Sequence, residues 1–115
     1  MAASGREKRL YPRVRSENPV HVKALGPSAL EGPGKTKVLG LGGCSFSVAE
    51  SVGEGAVVEL MIALGDRYVM AVGRVVYEIA HRDGTFEEGV KFLRIAPEDR
   101  HALESVVETR DEVRH

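Results

Sequence analysis

The chain has no tryptophan, only three tyrosines and three phenylalanines, a single cysteine and no excess of either charge. Each shortage removes a class of function. Sparse aromatics (Tyr11, Phe46, Tyr68, Tyr77, Phe86, Phe92), most of them at core-like strand positions, leave no platform on which single-stranded bases would stack. A net charge of −1 lacks the basic face that nucleic-acid binding draws on, so neither DNA nor RNA is expected as a partner. Cys44 cannot form an intramolecular disulfide, and the N-terminus lacks the apolar core of a secretory signal. We therefore expect a cytoplasmic protein. No run approaches the roughly 20 apolar residues of a membrane-crossing helix, so no membrane insertion is expected.

Converging titratable groups are missing as well. His21, His81, His101 and His115 are scattered without metal-ligand spacing, so no metal is expected, and Cys44 has no neighbouring histidine and reads as a small buried thiol. Neither Gly40-Leu-Gly-Gly nor Gly53-Glu-Gly opens a helix, which excludes a phosphate loop of the Rossmann or Walker kind. The chain is not expected to be an enzyme, and no cofactor is expected.

What remains is strand pattern. At 115 residues and 43% hydrophobic content the chain fits one soluble domain. Pro19 to Leu25 alternates, with Val20 and Val22 on one face and His21 and Lys23 on the other. Residues 26–34, rich in glycine and proline, read as a loop. A strand over Thr36 to Leu41, a tight turn at Gly42-Gly43 and a strand over Cys44 to Ala49 follow. Ala56 to Leu64 is apolar on both faces and reads as a well-covered core strand. Gly65-Asp66 is a hairpin signal between it and a strand over Tyr68 to Ile79. After a turn at Asp83-Gly84, Phe86, Glu88, Val90 and Phe92 alternate with Glu87, Gly89, Lys91 and Leu93 in a last strand. Pro97 opens a helix at a position needing no amide donor, with Glu98 and Asp99 where the helix dipole favours negative charge, and Leu103, Val106 and Val107 as its apolar stripe. These elements predict an all-β fold: a six-stranded antiparallel β-barrel, closed because short strands leave costly free edges, with a C-terminal α-helix.

Ahead of the first strand, residues 1–15 hold Arg6, Lys8, Arg9, Arg13 and Arg15 against Glu7 alone. Arg9 and Arg13 lie four residues apart around Pro12, which fixes one backbone angle and limits how far the two guanidinium forks can drift. Two planar, permanently charged forks at that spacing make a grip for a small anionic ligand. We divide the chain into a flexible basic arm, residues 1–17, and the barrel with its helix, residues 18–115.

Lys8-Arg-Leu-Tyr-Pro-Arg-Val14, the Gly-Gly turn and Gly89-Val-Lys-Phe-Leu93 before a short helix together resemble the PilZ domain family. The resemblance spans most of the chain and implies a six-stranded antiparallel barrel that serves as a receptor for the bacterial second messenger cyclic di-GMP. Arg9 and Arg13 match the family's Arg-x-x-x-Arg element, which wraps the ligand's phosphates and guanine edges. The family's second element, Asp/Asn-x-Ser-x-x-Gly, falls on Val38-Leu-Gly-Leu-Gly-Gly43, with Val38 at the acidic position, Gly40 at the serine and Gly43 at the last glycine. Valine and glycine supply neither acceptor nor hydroxyl, which leaves the backbone of Gly40 to Gly43. Each lost hydrogen bond costs roughly 1–3 kcal/mol at a desolvated site, so the two losses weaken binding by about 30-fold or more. The expected ligand-binding residues are thus Arg9, Arg13, Gly40 and Gly43. Two readings follow from the resemblance. One is a cyclic di-GMP receptor whose arm closes on the ligand and which regulates a protein effector; the other is a nucleotide-independent adaptor in motility, pilus or exopolysaccharide regulation.

Overall fold

A computed structural model of the chain describes residues 13–27 and 30–113. Among the described residues seven strands, β1 (Arg13–Arg15), β2 (Pro19–Leu25), β3 (Glu31–Gly40), β4 (Gly43–Val48), β5 (Val57–Leu64), β6 (Arg67–Ala80) and β7 (Phe86–Ile95), precede one helix, α1 (Pro97–Val113). The sheet runs β3-β2-β5-β6-β7-β4 and closes by pairing β4 back onto β3, every neighbour antiparallel. This is the expected six-stranded barrel with its C-terminal helix.

The strand beyond these six, β1, extends β2. β1 pairs with the far half of β3 (Arg13 with Gly40, Arg15 with Val38) while β2 pairs with its near half (Pro19 with Lys35), so β1 and β2 share one lane along β3. The interruption at residues 16–18 is sealed by a polar latch. Thr36, fully buried, accepts the Asn18 backbone N–H at 2.8 Å through Oγ1 and donates to the Ser16 carbonyl. Ser16 Oγ donates to Asn18 Oδ1, and Asn18 Nδ2 donates to the Ala63 carbonyl at 2.9 Å. The last part of the 1–17 segment is therefore sheet and not arm: Arg13–Arg15 is strand, and the latch fixes where Arg13 stands.

Two further expectations change. The Gly/Pro stretch 26–34 is loop only in part, because β3 begins at Glu31 and carries Gly32, Pro33 and Gly34. A Cβ on Gly34 would lie 2.7 Å from the Ser47 carbonyl oxygen, so glycine there permits close strand approach; Pro33 precedes the first residue paired with β4, a flank where its missing N–H is tolerated. β5 is covered on one face only. Val58, Leu60, Ile62 and Leu64 are buried, whereas Met61 is 37% exposed beside its cross-strand partner Met70.

The core joins these inward residues to Leu39, Phe46 and Val75, and α1 closes one end of the barrel with Leu103 and Val107 fully buried and Val106 packed alongside. Asp99, in the first turn of the helix, also docks it: the carboxylate accepts from Arg67 Nη2 at 3.1 Å and from the Met70 N–H at 3.2 Å. The two hairpin turns contain the glycines expected of them, Gly65 with φ 64° and Gly84 with φ 91°, backbone conformations that favour glycine.

Candidate ligand-binding groove

Strand pleating sends alternate residues outward, and two bulges disturb that rhythm at one patch of the outer wall. A register shift between Thr36 and Val38 in β3, and another between Val75 and Tyr77 in β6, turn Lys37 and Tyr77 toward the same surface. The row that results crosses four strands: Val38 opposes Ser45, Ser45 opposes Gly89, and Gly89 opposes Tyr77. Together with Arg13, Gly40 and Gly43 these residues border a half-open groove of about 420 Å³.

Of the four expected ligand residues, three meet in this groove. Arg13 is exposed on β1 and is directly registered with Gly40. Gly43 starts β4, where a Cβ would fall 2.1 Å from the Val90 carbonyl oxygen, so this glycine lets β4 and β7 approach. It is not among the glycines with left-handed φ, and its role is therefore close approach rather than turn conformation. Arg9 lies outside the described residues. Val38 lines the groove as well, an apolar side chain where an acceptor would serve a ligand.

The opposite wall holds side chains that the sequence did not single out. The Tyr77 ring rests on Gly89, where a Cβ would come within 1.9 Å of it, and remains 38% exposed. Its hydroxyl donates to Glu87 Oε2 at 2.9 Å. Burial, and then the hydrogen bond and charge of Glu87, raise the Tyr77 hydroxyl above its ordinary pKa, with Ser45 and Arg13 opposing. Glu87 Oε1 is met by Lys37 Nζ at 3.1 Å and His81 Nε2 at 3.2 Å. Burial pushes the Glu87 carboxyl upward, but the bonds from Lys37, Tyr77 and His81 outweigh it and hold it below the usual carboxylate range. An ionised carboxylate thus stands beside the Lys37 cation at the groove's edge. The clue available in sequence was the outward row Glu87, Gly89, Lys91; its partners, up to 50 residues away, were not.

Cys44 contributes no nucleophile, because full burial pushes its thiol up to about 12. On the inner side of the same strands sits a second acidic centre. Glu88 is fully buried opposite Glu78, its Oε2 accepting from the Val52 N–H at 3.0 Å and its Oε1 buried without a partner. Glu78 Oε2 accepts from Ser51 Oγ at 2.7 Å and from the Gly53 N–H at 3.0 Å. Burial first, and Glu78 second, raise Glu88 from 4.5 to about 7, while Glu88 first, and then Ser51 and the Gly53 amide, lower Glu78. Among the described residues no helix is long and apolar enough to cross a membrane.

Comparison with known proteins supports this architecture. No curated protein matches the chain. Among solved structures, MotI/DgrA, the inhibitor of motility of Bacillus subtilis, superposes with a TM-score of 0.76 at 20% identity, covering 90% of this chain and 51% of that one. The PilZ domain of Escherichia coli YcgR, determined with c-di-GMP, gives 0.68 at 14% identity over 91% of this chain and 92% of that one. MrkH, described as a c-di-GMP-dependent transcription regulatory factor, gives 0.68 at 14% identity over 88% and 50%. The chain thus spans about half of MotI and MrkH but nearly all of the YcgR domain. At such identities the likeness is one of fold. Sequence carries the rest: the family model for the PilZ domain matches residues 7–109, and the chain belongs to that family.

Proposed function

We propose that the chain is a cyclic di-GMP receptor and adaptor, in which the ligand bridges Arg9 and Arg13 to the Gly40–Gly43 edge and so changes the position of the N-terminal arm relative to a partner protein. The observation that carries this reading is the register of Arg13 with Gly40, which brings two separately expected ligand residues to one groove. The groove volume, about 420 Å³, falls within the range of small-molecule sites. A guanidinium fork beside open backbone suits a phosphodiester, and a ligand that contacts arm and barrel together favours the closed arrangement by those contacts. The YcgR domain was determined with c-di-GMP, and MotI and MrkH are by name regulators of motility and transcription. We assign the chain no catalysis and place its action in the cytoplasm on a protein effector.

Val38 and Gly40 favour a second reading, a nucleotide-independent adaptor, because neither offers the side-chain polar group of the family's second element. Calorimetric titration with cyclic di-GMP separates the two. Micromolar or tighter binding that disappears in Arg9→Ala and in Arg13→Ala supports the receptor. No heat at high ligand concentration leaves the adaptor.

A further inference from the structure

The groove lost its acceptor on β3, yet an acceptor stands on its other wall. Glu87 is the only carboxylate among the described residues lining it. It projects from β7 two residues before Gly89, which opposes Ser45, which in turn opposes Val38. Glu87 and the vacant acceptor position therefore share one surface, separated by neighbouring strands. Three donors orient the carboxylate: Lys37 of β3 and His81, just after β6, on Oε1, and Tyr77 of β6 on Oε2. A carboxylate has about four acceptor positions, so one remains open, on Oε2. The side chain is 18% exposed, enough to be reached yet sheltered from full solvent screening.

We propose that Glu87 substitutes for the missing acceptor, its open Oε2 position receiving an N–H of the guanine Watson–Crick edge and making it the base-selecting residue of the groove. This rests on the cyclic di-GMP reading above. Guanine presents two N–H donors side by side on that edge, N1 and N2. Adenine presents its N6 amino group next to the N1 lone pair, which a carboxylate repels. A Glu87 that only braced Lys37 and Tyr77 would affect both bases alike, so base dependence separates contact from bracing.

The experiment titrates wild type, Glu87→Gln and Lys37→Met with cyclic di-GMP and with cyclic di-AMP, with a thermal melt of each protein. Glu87→Gln is expected to weaken cyclic di-GMP by about tenfold or more, the scale of a charge-assisted hydrogen bond. It should not weaken cyclic di-AMP, because an amide can both accept from N6 and donate to N1. Lys37→Met loosens the carboxylate but keeps it, and should still leave cyclic di-GMP preferred over cyclic di-AMP. An unchanged ratio in Glu87→Gln overturns the inference while leaving the receptor standing. Absence of any cyclic di-GMP binding by the wild type overturns both. If the amide variant does not fold, Glu87→Asp, which withdraws the charge by one methylene, replaces it, and an unchanged ratio there is equally fatal.

Discussion

Replacing Glu88 with glutamine tests the account of the acidic pair on the inner face of β7. Burial and the facing Glu78 carboxylate hold Glu88 near 7, against an ordinary 4.5. The unfolded chain therefore gives up this proton at lower pH than the folded one. Between the two values the folded state binds more protons, and stability falls as pH rises. Its contribution is complete below about 4.5 and gone above about 7. At 1.36 kcal/mol per pH unit that interval is worth roughly 3 kcal/mol. Glu78 has the opposite displacement, so its effect lies at acid pH, below its ordinary 4.5. Glutamine keeps an oxygen for the Val52 N–H and gains an amide donor for Glu78, with nothing to ionise. Melting followed by circular dichroism from pH 5 to 8 should show wild type losing stability toward pH 8 and the variant losing much less. At pH 8 the variant should melt about 10 °C higher, given several degrees per kcal/mol in a domain of this size. Every other titratable group is common to both proteins, so the difference between the curves isolates Glu88. A variant curve parallel to wild type, or a wild type that gains stability toward pH 8, would show that burial does not raise Glu88 in the folded chain.

Thr36→Val removes the hydroxyl that serves both Asn18 and Ser16 in the buried latch, and should cost about 1–3 kcal/mol in urea unfolding; an unchanged midpoint would show that the latch does not hold β1. The same variant should weaken cyclic di-GMP binding if Arg13 depends on that latch for its place beside Gly40. Cys44 should resist thiol reagents at pH 8 until the protein unfolds, because burial pushes its thiol up to about 12; rapid labelling of native protein would contradict its placement in the core. Restoring the family element by Val38→Asp with Gly40→Ser should tighten cyclic di-GMP by about 30-fold if two recovered hydrogen bonds are each worth roughly 1 kcal/mol. A calorimetric Kd unmoved by the double change would mean that this wall of the groove does not touch the base.

Legibility in the sequence followed the range of the forces concerned. Alternation within β2 and β7, the glycines at the two hairpins and the proline-opened helix are written over a few neighbouring residues and were readable there. Gly34 shows the limit. Its glycine answers to Ser47 on another strand, so a stretch that looked like loop by composition is partly sheet. The outer face of β5 misled for a related reason: Met61 is apolar because Met70 lies beside it, not because anything covers it. In the groove, Arg13, Gly40 and Gly43 were legible through the family's motifs. Tyr77 and Glu87 were not, because their placement arises from two bulges and from Lys37, a partner 50 residues from Glu87 that the folded barrel brings near.

Glu87 and Glu88 are consecutive, yet one looks out upon the groove and the other in upon the core. The barrel wall between groove and interior is a single peptide unit thick. Variants in this stretch of β7 are thus not purely surface changes: a side chain altered outside hangs from a backbone that also holds the buried Glu88. Affinity measured for any substitution at position 87 has to be accompanied by its melting curve across pH, since the two faces share one piece of main chain.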